Sequence, residues 1–497
     1  CIQSTPRSRL LSVASWWQGQ QQQQQQRYHH AEAAKQAHLH TRTTTMPSST
    51  ASTATVPTAQ PTNGESASTT TDADSQQKQQ RQGFSLKDYD VIGFDLDHTL
   101  ARYNLPALYK LCYGSIVKHL IDLGYPKAIF REFDEAVQLR MVQKGLLYDM
   151  ERGNVLKLGA AREVIRGFHG TKPMSTQSIE EIYGGKSEIG ARLKHLPFIR
   201  DETPEEISKS LHCFSDYFTV GTIYLLMEIV DAIDAGLVDP KIAANYTKPF
   251  RDFFDGYTTM YRREGFRDHT GYFFPEVKTN TSEMLHQCTP EILNWLKHLR
   301  SDGMKIVLIT SSNADYAEMM LVYTIGKNWM DYFDSVITWA RKPGFWIQSD
   351  RMFYTVKDHR EADMVATLKD RTVYAQGSHA RLSKLLSRIT GKDQPKMIYV
   401  GDNLVDDMYV PQKYKCCDTI GIVEELELEK LPKWKSEWGP FLQADEDRNK
   451  GGTPSASLWA DVVEKSCKLA VPSVEEMARY PRDHVFEKSS ETCLVFS

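Results

Sequence analysis

Short apolar runs that end in polar residues recur along this chain, and the first clear one is residues 91–94. This Val-Ile-Gly-Phe run leads directly into Asp95 and Asp97, which are separated by a single residue. Later apolar runs that also end in hydroxyl or acidic residues lie at 305–313, 334–338, 396–407 and 417–423. A short apolar run bounded by polar residues predicts a strand that is buried on both faces.

A long stretch with helical periodicity, from about residue 105 to 300, separates the first run from the second. Apolar positions three and four residues apart predict helices over 107–124, 129–143, 204–231 and 290–299. Thr203 and Thr289 are the expected N-caps of the last two, because each precedes a proline in the first turn. Arg152-Gly153-Asn154 is a hairpin-turn signal between two short strands. Strands that alternate with helices predict an α/β fold with a doubly wound parallel sheet.

The two ends of the chain differ from its middle. Residues 1–82 hold a glutamine tract, Gln20 to Gln26, and then Ser-, Thr-, Ala- and Pro-rich sequence, which cannot bury enough apolar area to offset its ordering entropy. The chain beyond about 425 is charged and helical, then irregular. The expected organisation is a disordered low-complexity tail at 1–82, a core made of 83–104 with 301–425, an inserted domain at 105–300, and an extension at 426–497.

Composition narrows the function classes. The formal net charge of -4 gives no support for a basic, nucleic-acid-binding surface. The most apolar stretch, 218–233, contains Glu228 and Asp231, so it predicts a buried helix and not a membrane span. The 8 cysteines have no regular spacing, which argues against a disulfide scaffold and favours the cytoplasm. Arginines in an acid-poor N-terminus (Arg7, Arg9 and Arg27) leave a mitochondrial transit peptide as the alternative.

Asp95 and Asp97 are the candidate catalytic pair. Two carboxylates this close repel, so a proton or a metal cation must intervene. Such a pair suits a metal-dependent phosphoryl transfer, in which one aspartate attacks phosphorus and the other shuttles a proton. Taken alone, the pair fits a strand-to-turn junction with solvated acids equally well. The residues at the other strand ends decide between these two interpretations.

Those strand ends supply the remaining groups that phosphoryl transfer needs. Thr310 and Ser311 offer hydroxyl donors at a helix start, where backbone N–H groups also favour an anion. Lys342 would neutralise the nucleophile and the phosphate. Asp402 follows a strand and a glycine and suits Mg²⁺, which prefers carboxylate oxygens and water. The acids after it, Asp406 and Asp407, would support the metal site.

Each of these residues also has an ordinary structural explanation. The hydroxyl residues could be N-caps, the lysine could lie on the surface, and the late acids could complement a helix dipole. The carboxyl ends of parallel strands meet at one edge of a sheet, which is where ligands bind in such folds. Because all four groups follow successive strands in the right order, we expect one shared site.

These motifs resemble a known superfamily. The sequence Asp95-Leu96-Asp97-His98-Thr99-Leu100, then Thr310, Lys342 and residues 401–407, resemble the four motifs of the haloacid dehalogenase superfamily. Gly153 to Lys157, His169-Gly170 and residues 340–343 look like the cytosolic purine 5′-nucleotidase family. The resemblance covers about residues 84 to 425.

The resemblance implies a cytosolic, Mg²⁺-dependent phosphohydrolase that acts on a small phosphorylated substrate through an aspartyl-phosphate. It implies that Asp95 is the nucleophile and a metal ligand, and that Asp97 is the general acid/base and binds the metal through its backbone carbonyl. Thr310, Ser311 and Lys342 would bind the phosphate, and Asp402 would complete the metal shell. The 105–300 segment would be a large, mostly helical cap inserted after the first strand of a haloacid dehalogenase-like core, and it would close over the site.

One departure from the family leaves the substrate open. Purine nucleotidases of this kind carry an arginine and an aspartate on a late cap helix, and Phe254 and Thr258 occupy those places in the helix expected at 248–263. The phosphate chemistry can persist without the purine-reading contacts. A catalytically weak or inactive interaction or regulatory protein is therefore the alternative function, and a homo-oligomeric assembly also stays open. His169 could face the site, but a hydrogen-bonded structural histidine is the favoured interpretation.

Overall fold

The computed structural model describes residues 83–193, 210–443, 456–487 and 494–495. The predicted disorder of residues 1–82 and the predicted N-cap at Thr203 lie outside the described residues. The strands, in chain order, are β1 Val91–Phe94, β2 Leu147–Asp149, β3 Asn154–Leu158, β4 Val164–His169, β5 Lys172–Pro173, β6 Leu211–Cys213, β7 Lys305–Ile309, β8 Ser335–Thr338, β9 Phe353–Lys357, β10 Arg360–Val365, β11 Thr372–Gln376, β12 Met397–Gly401, β13 Asp418–Ile422, β14 Leu469–Val471 and β15 Leu494–Val495.

Helices connect these strands and cover the sheets. The α-helices are Leu105–Asp122, Glu135–Met141, Thr176–Tyr183, Glu188–Leu193, Tyr217–Val220, Ile223–Asp234, Thr247–Met260, Arg263–Arg267, Phe274–Thr279, Thr281–Met284, Pro290–Ser301, Ala314–Thr324, Gly344–Ile347, His379–Thr390, Val410–Lys413, Glu425–Leu428, Leu458–Ser466 and Val474–Ala478. Short 3₁₀ turns occupy Leu86–Asp88, Lys127–Ile129, Trp329–Tyr332 and Pro432–Trp434, and Leu404–Tyr409 forms one π-helical stretch.

The main sheet has ten strands in the order β10-β9-β11-β8-β7-β1-β12-β13-β14-β15. Every pair from β11 through β14 is parallel, and the antiparallel pairs lie at the two edges. The chain runs outward from β1 through β7, β8 and β11, and then returns to the other side of β1 with β12. This reversal makes β1 the switch point of the sheet, where ligands bind in folds of this type. The predicted parallel α/β architecture is confirmed.

The strands of this sheet are buried on both faces, as their unbroken apolar runs predict. Neighbouring side chains alternate between two hydrophobic clusters. In β1, Ile92 and Phe94 belong to one cluster and Val91 to the other. In β7, Ile306 and Leu308 lie in the first cluster, and Val307 and Ile309 lie in the second. The sheet therefore carries its polar groups at its strand ends.

A second, antiparallel sheet lies within the 105–300 segment, with the strand order β5-β4-β3-β2-β6. The predicted hairpin is present, because Arg152 and Gly153 turn the chain between β2 and β3. The helix predicted over 204–231 is wrong at 211–213, which form a strand, and is borne out at 217–220 and 223–231. Strand β6 pairs with the outer edge of β2 there, and helices begin only at Tyr217 and Ile223. Tertiary pairing overrides the helical periodicity because β2 would otherwise expose its backbone polar groups.

The C-terminal segment contributes to the main sheet. Strand β14 pairs in parallel with β13, and Phe486 bridges back to Phe84 at the start of the described core. The sequence pattern predicted a helical and irregular extension for this part of the chain. The Leu-Ala-Val run of β14 is only three residues long, which is too short for hydrophobic periodicity to reveal.

We expect Glu228→Gln to stabilise the protein at alkaline pH. Glu228 is buried in helix Ile223–Asp234, where it accepts a hydrogen bond from the Tyr113 hydroxyl at 2.7 Å, and burial raises its pKa to about 7 from 4.5. The folded protein thus binds this proton more tightly than the unfolded chain. The contribution of Glu228 to the free energy of unfolding is greatest below pH 4.5, and it is lost as the pH rises through about 7.

The test is thermal unfolding of both proteins across pH. The variant should unfold at a higher temperature than the wild type at about pH 8 and show no such advantage at about pH 5. Glu132→Gln is the matched control, because Glu132 is exposed. An equal difference in unfolding temperature at both pH values would contradict the assignment.

Candidate active site

Asp95 and Asp97 lie at the carboxyl end of β1, where the chain turns sharply. The backbone N–H of Asp95 still donates to the Val400 carbonyl at 2.8 Å, so this residue ends the strand pairing. His98 then adopts a left-handed conformation with φ 54°, and the N–H of Ala101 donates back to the Leu96 carbonyl at 2.7 Å. This turn brings both carboxylates to the same edge of the sheet. They are 7% and 9% exposed.

The Asp97 carboxylate is held by hydroxyl groups. Its Oδ1 accepts from the Tyr103 hydroxyl at 2.8 Å, and its Oδ2 accepts from Ser312 Oγ at 2.7 Å and more weakly from Thr310 Oγ1 at 3.4 Å. Tyr103 is itself 2.8 Å from the Tyr316 hydroxyl. Burial raises the pKa of Asp97, and these hydrogen bonds oppose that shift. The side chain is therefore fixed in one orientation.

The predicted hydroxyl pair after β7 divides between two tasks. Thr310 is buried and approaches Asp97, as above, whereas Ser311 is exposed and its Oγ accepts from the backbone N–H of Lys342 at 3.1 Å. Ser312, which the sequence analysis passed over, is the closer hydroxyl to Asp97. A run of adjacent hydroxyl residues cannot tell which side chain the turn directs inward.

Lys342 lies at the centre of the charged groups. Its Nζ is 2.9 Å from Asp95 Oδ2 and donates to Asp407 Oδ1 at 2.6 Å and to the Tyr399 hydroxyl at 3.0 Å. The Tyr399 hydroxyl in turn donates a hydrogen bond to the Ile309 carbonyl at 2.7 Å. The lysine side chain is 4% exposed, so water screens these contacts weakly. The prediction that Lys342 reaches the nucleophile position agrees with this geometry.

A cluster of carboxylates faces the lysine. Oxygens of Asp95, Asp402 and Asp407 lie within 4.8 Å of one another, and all three residues are buried. The metal ligands expected from the sequence were Asp95, Asp97 and Asp402, with Asp407 in a supporting place. Asp407 joins the cluster because the π-helical stretch starting at Leu404 turns it inward, where its Oδ2 accepts from the Asn403 N–H at 3.1 Å.

Asp406 has a different place. Its backbone N–H is capped by Asn403 Oδ1 at 2.9 Å, and the cluster of three carboxylates does not include it. Burial and the nearby charge of Asp407 raise the pKa of Asp406 to about 7. Two adjacent aspartates in the sequence could not be told apart, because only the helix geometry decides which one faces the lysine.

The carboxylate cluster fits a divalent cation. Burial raises the pKa of Asp95 and of Asp402 well above the usual range, and the neighbouring Asp407 charge adds to both shifts. Among the described residues, Lys342 is the one cation within ion-pair distance of Asp95 and Asp407, so three carboxylates face a single ammonium group. Carboxylate oxygens are the donors that Mg²⁺ prefers. The donor set and its burial would therefore suit a divalent cation.

Residues of the other recognised motifs have structural partners. His169 places Nδ1 2.7 Å from Asn154 Oδ1 and Nε2 2.9 Å from Asp234 Oδ2, which agrees with the structural interpretation. Lys157 is buried and donates to the Trp438 carbonyl at 3.0 Å. Phe254 stacks among aromatic rings in helix Thr247–Met260, and Thr258 donates its hydroxyl to the Asp255 carbonyl within the same helix.

The partners that orient the predicted residues were not predicted from the sequence. Tyr103, Ser312 and Tyr399 contact Asp97 or Lys342, and Lys144 reaches the carbonyl oxygen of Asp402 at 3.0 Å. His98 is 2% exposed and packs against Tyr103, with ring centroids 4.5 Å apart. Proximity in the sequence was the available signal for His98, which directly follows Asp97, for Tyr103, and for Ser312 beside the predicted hydroxyl pair. Tyr399 and Lys144 lie 57 and 258 residues from the groups that they contact.

Paired aspartates, a lysine and a third acid at the strand ends of a parallel sheet define a phosphate-transferring enzyme of the α/β class. The 5′ nucleotidase family model matches residues 80–444, which is most of the chain. The chain therefore belongs to the 5′-nucleotidase family, and so to the phosphoric monoester hydrolases.

Curated relatives agree with this assignment. The chain is 32% identical over 450 residues to 5′-nucleotidase domain-containing protein 1 of Homo sapiens. The aligned region covers 83% of this chain and 94% of the relative. The Bos taurus protein of the same name is 32% identical over 82% of this chain and 94% of its own length. Human 5′-nucleotidase domain-containing protein 2 is 25% identical, over 69% of this chain and 62% of its own length. The family resemblance expected from the sequence is confirmed.

Among solved structures, a predicted phosphoglycolate phosphatase from Haemophilus somnus covers 67% of this chain and 84% of its own, at 12% identity and a TM-score of 0.24. The family assignment rests on the sequence matches. In the part of the chain that the structure describes, no helix is both long and apolar enough to cross a membrane.

Proposed function

We propose that the protein is a Mg²⁺-dependent phosphohydrolase that cleaves a phosphate monoester, a nucleoside 5′-monophosphate in the first instance, through an aspartyl-phosphate on Asp95. One observation carries the proposal. Asp95 Oδ2 lies 2.9 Å from Lys342 Nζ at the switch point of the sheet, with a second aspartate held beside it by hydroxyl groups. Nucleophile, proton carrier and phosphate-binding cation are thus assembled in one buried place.

The proposed reaction has two steps. A carboxylate oxygen of Asp95 forms a bond to phosphorus, the bond from phosphorus to the leaving oxygen breaks, and Asp97 gives that oxygen a proton. Asp97 then takes a proton from water, whose oxygen attacks the same phosphorus. The bond from Asp95 to phosphorus breaks, and inorganic phosphate leaves.

The chain's own residues would orient both steps. Hydrogen bonds from Ser312 and Tyr103 fix the two oxygens of Asp97, so its proton is directed to one place. Lys342, with hydroxyls of Thr310 and Ser311, would hold the phosphate oxygens. The contact between Ser311 Oγ and the Lys342 N–H ties these two phosphate-binding segments together. Fixed donors of this kind need no reorganisation during the reaction.

The metal would be held by the carboxylates of Asp95, Asp402 and Asp407. The backbone carbonyl of Asp97 is a further proposed ligand, taken from the family resemblance, and Asp406 would support the site through the turn that it shares with Asp407. When bound, Mg²⁺ supplies positive charge that offsets the phosphate and the clustered carboxylates. The cation would balance the negative charge of the carboxylates that Lys342 alone does not neutralise.

We extend the proposal to the domain organisation. Residues 83–104 with 301–425 would be the catalytic core, 105–300 a cap that covers the site and selects the leaving group, and 426–497 an extension that adds strand β14. The low exposure of both aspartates supports a covering role, because closure excludes water from the reaction. The 6 described cysteines are all unpaired, which supports the proposed cytoplasmic location.

The test is phosphate release by the full chain from a panel of nucleoside 5′-monophosphates and sugar phosphates, with Mg²⁺ and with a chelator. We expect release that needs Mg²⁺, is abolished by the chelator, and is restored by added Mg²⁺. Release that persists unchanged in the chelator would overturn the metal assignment. The ranking of the panel identifies the leaving group that the cap accepts.

A second candidate function is an interaction or regulatory protein with weak or absent catalysis. It is favoured by the aromatic and hydroxyl side chains of Phe254 and Thr258, which leave no charged pair at those two positions of the helix for reading a purine. A protein of this kind would release no phosphate from any member of the panel, with or without Mg²⁺.

A further inference from the structure

Lys144 is a cation that is completely withdrawn from water, and the proposed reaction does not yet use it. Its side chain is 0% exposed. It lies in the short connection between helix Glu135–Met141 and β2, in the segment inserted between β1 and β7. A buried lysine is costly unless its charge and its donors are matched. The contacts of Lys144 therefore indicate what it does.

The connection is built to hold this side chain in one place. Gln143 donates its side-chain amide to the Gly439 carbonyl at 2.8 Å. Gly145 donates its N–H to the Phe214 carbonyl at 2.6 Å and accepts from Trp459 Nε1 at 2.7 Å. Its φ is +84°, and the Trp459 ring fills the space that a Cβ would need, so only glycine fits. Both neighbours of Lys144 are thus anchored to other segments.

The amino group reaches the ends of two strands of the main sheet. Lys144 Nζ donates to the carbonyl oxygen of Asp402 at 3.0 Å, directly after β12. It also lies 3.9 Å from Glu425 Oε2, after β13, and 3.9 Å from the centre of the Tyr217 ring. Glu425 is held in turn by the Tyr217 hydroxyl at 2.6 Å. The ion pair and the ring offset the cost of burying the lysine, and the hydrogen bond fixes the backbone of Asp402.

We propose that Lys144 is a positioning residue of the phosphohydrolase site, an ammonium group from the inserted segment that fixes the Asp402 backbone and so aims the Asp402 carboxylate at Asp95 and Asp407. This inference rests on the proposed function, because it assigns the carboxylate cluster to Mg²⁺. It gives the inserted segment a part in assembling the metal site. Partners that orient metal ligands in this way change metal affinity by about 10- to 100-fold when they are removed.

The direction in which the Mg²⁺ affinity changes when Lys144 is replaced distinguishes a positioning role from a purely electrostatic one. Lys144 carries positive charge close to the proposed Mg²⁺ ligands, so its charge alone repels a dication. Removal of the charge by itself would therefore tighten Mg²⁺ binding. Loss of the fixed Asp402 backbone weakens it. We expect the second effect to dominate, because three carboxylates must converge on one small ion whose geometry is strict.

The experiment is a Mg²⁺ titration of the full chain, read as the rise in thermal unfolding temperature, for the wild type and Lys144→Met. Methionine removes the charge and the donors at similar volume. We expect the Kd for Mg²⁺ to rise by about 10-fold or more in Lys144→Met. With the best substrate of the panel at saturating Mg²⁺, kcat should fall while KM changes little.

Two further variants keep the result interpretable. Glu425→Gln breaks the ion pair but leaves the Asp402 contact, so its Mg²⁺ affinity should match that of the wild type. The double variant Lys144→Met with Glu425→Gln removes both charges, so it stays foldable if the single lysine variant does not, and its Mg²⁺ affinity should remain low. Lys110→Met, at an exposed lysine, is the control for the substitution itself.

Each outcome has a distinct meaning. Unchanged or tighter Mg²⁺ binding in Lys144→Met, beside a wild type that binds Mg²⁺, overturns the positioning role and leaves the proposed function standing. A Lys144→Met protein that unfolds at a lower temperature without Mg²⁺ but binds Mg²⁺ like the wild type has the same meaning. A wild type whose unfolding temperature does not respond to Mg²⁺ at all overturns the metal site itself, and the inference about Lys144 with it.

Discussion

Asp95→Asn is expected to reduce phosphate release by on the order of 10⁴-fold or more, because an amide is no nucleophile toward phosphorus. The substitution removes the oxygen that would form the aspartyl-phosphate but keeps the shape of the side chain. The folded state should persist, since Lys342 keeps its contact with Asp407 at 2.6 Å. The measurement is initial rates with Mg²⁺ together with circular dichroism and the thermal unfolding temperature.

The matched control lies on the same strand. Asp90→Asn changes an aspartate at the opposite end of β1, where the carboxylate accepts from the Lys396 N–H at 2.9 Å and pairs with Lys392. This variant should turn over like the wild type. Hydrolysis that survives in Asp95→Asn, or that is lost equally in Asp90→Asn, would refute the assignment of the nucleophile.

The second large effect is expected for Lys342→Met, on stability and on activity together. Lys342 is the one cation that the described residues place within ion-pair distance of Asp95 and Asp407. Its removal leaves two buried carboxylates uncompensated, which costs about 3–5 kcal/mol of stability in the absence of metal. Loss of the cation that faces the phosphate should lower kcat by on the order of 10²–10³-fold.

Thermal unfolding with and without Mg²⁺ separates the two parts of this prediction. Added Mg²⁺ should restore part of the lost unfolding temperature, since it would neutralise the same carboxylates, but it should not restore the rate. Lys327→Met, at an exposed lysine, should change neither quantity. A Lys342→Met protein as stable and as active as the wild type would show that the lysine serves neither role.

The candidate site residues at the strand ends could be predicted from the sequence, because each directly follows the apolar run that forms its strand. An apolar run of four residues at 91–94 is followed at once by the two aspartates, and the same relation holds before Thr310 and Asp402. Parallel strands buried on both faces have to show such runs. The order of these motifs along the chain was enough to predict one shared site at the carboxyl ends of the parallel strands.

The parts that the sequence did not reveal depend on distant partners. Strand β6 forms because β2 offers an unpaired edge, and nothing within 204–231 records that edge. The choice of Asp407 over Asp406 depends on a π-helical turn, and the choice of Ser312 over Ser311 depends on the path of one loop. Lys144 lies more than 250 residues before the carbonyl that it contacts. No periodicity or local motif encodes contacts of this kind.

The most direct test of the account is to look for the phosphoryl group on Asp95. The wild-type chain is mixed with Mg²⁺ and its best substrate, quenched in acid during turnover, and digested with trypsin, which releases residues 88–102 as one peptide. We predict that this peptide carries the added mass of one phosphoryl group, located on Asp95, and that Asp95→Asn yields no such peptide. Turnover at a normal rate with no phosphoryl group on residues 88–102 would contradict the mechanism.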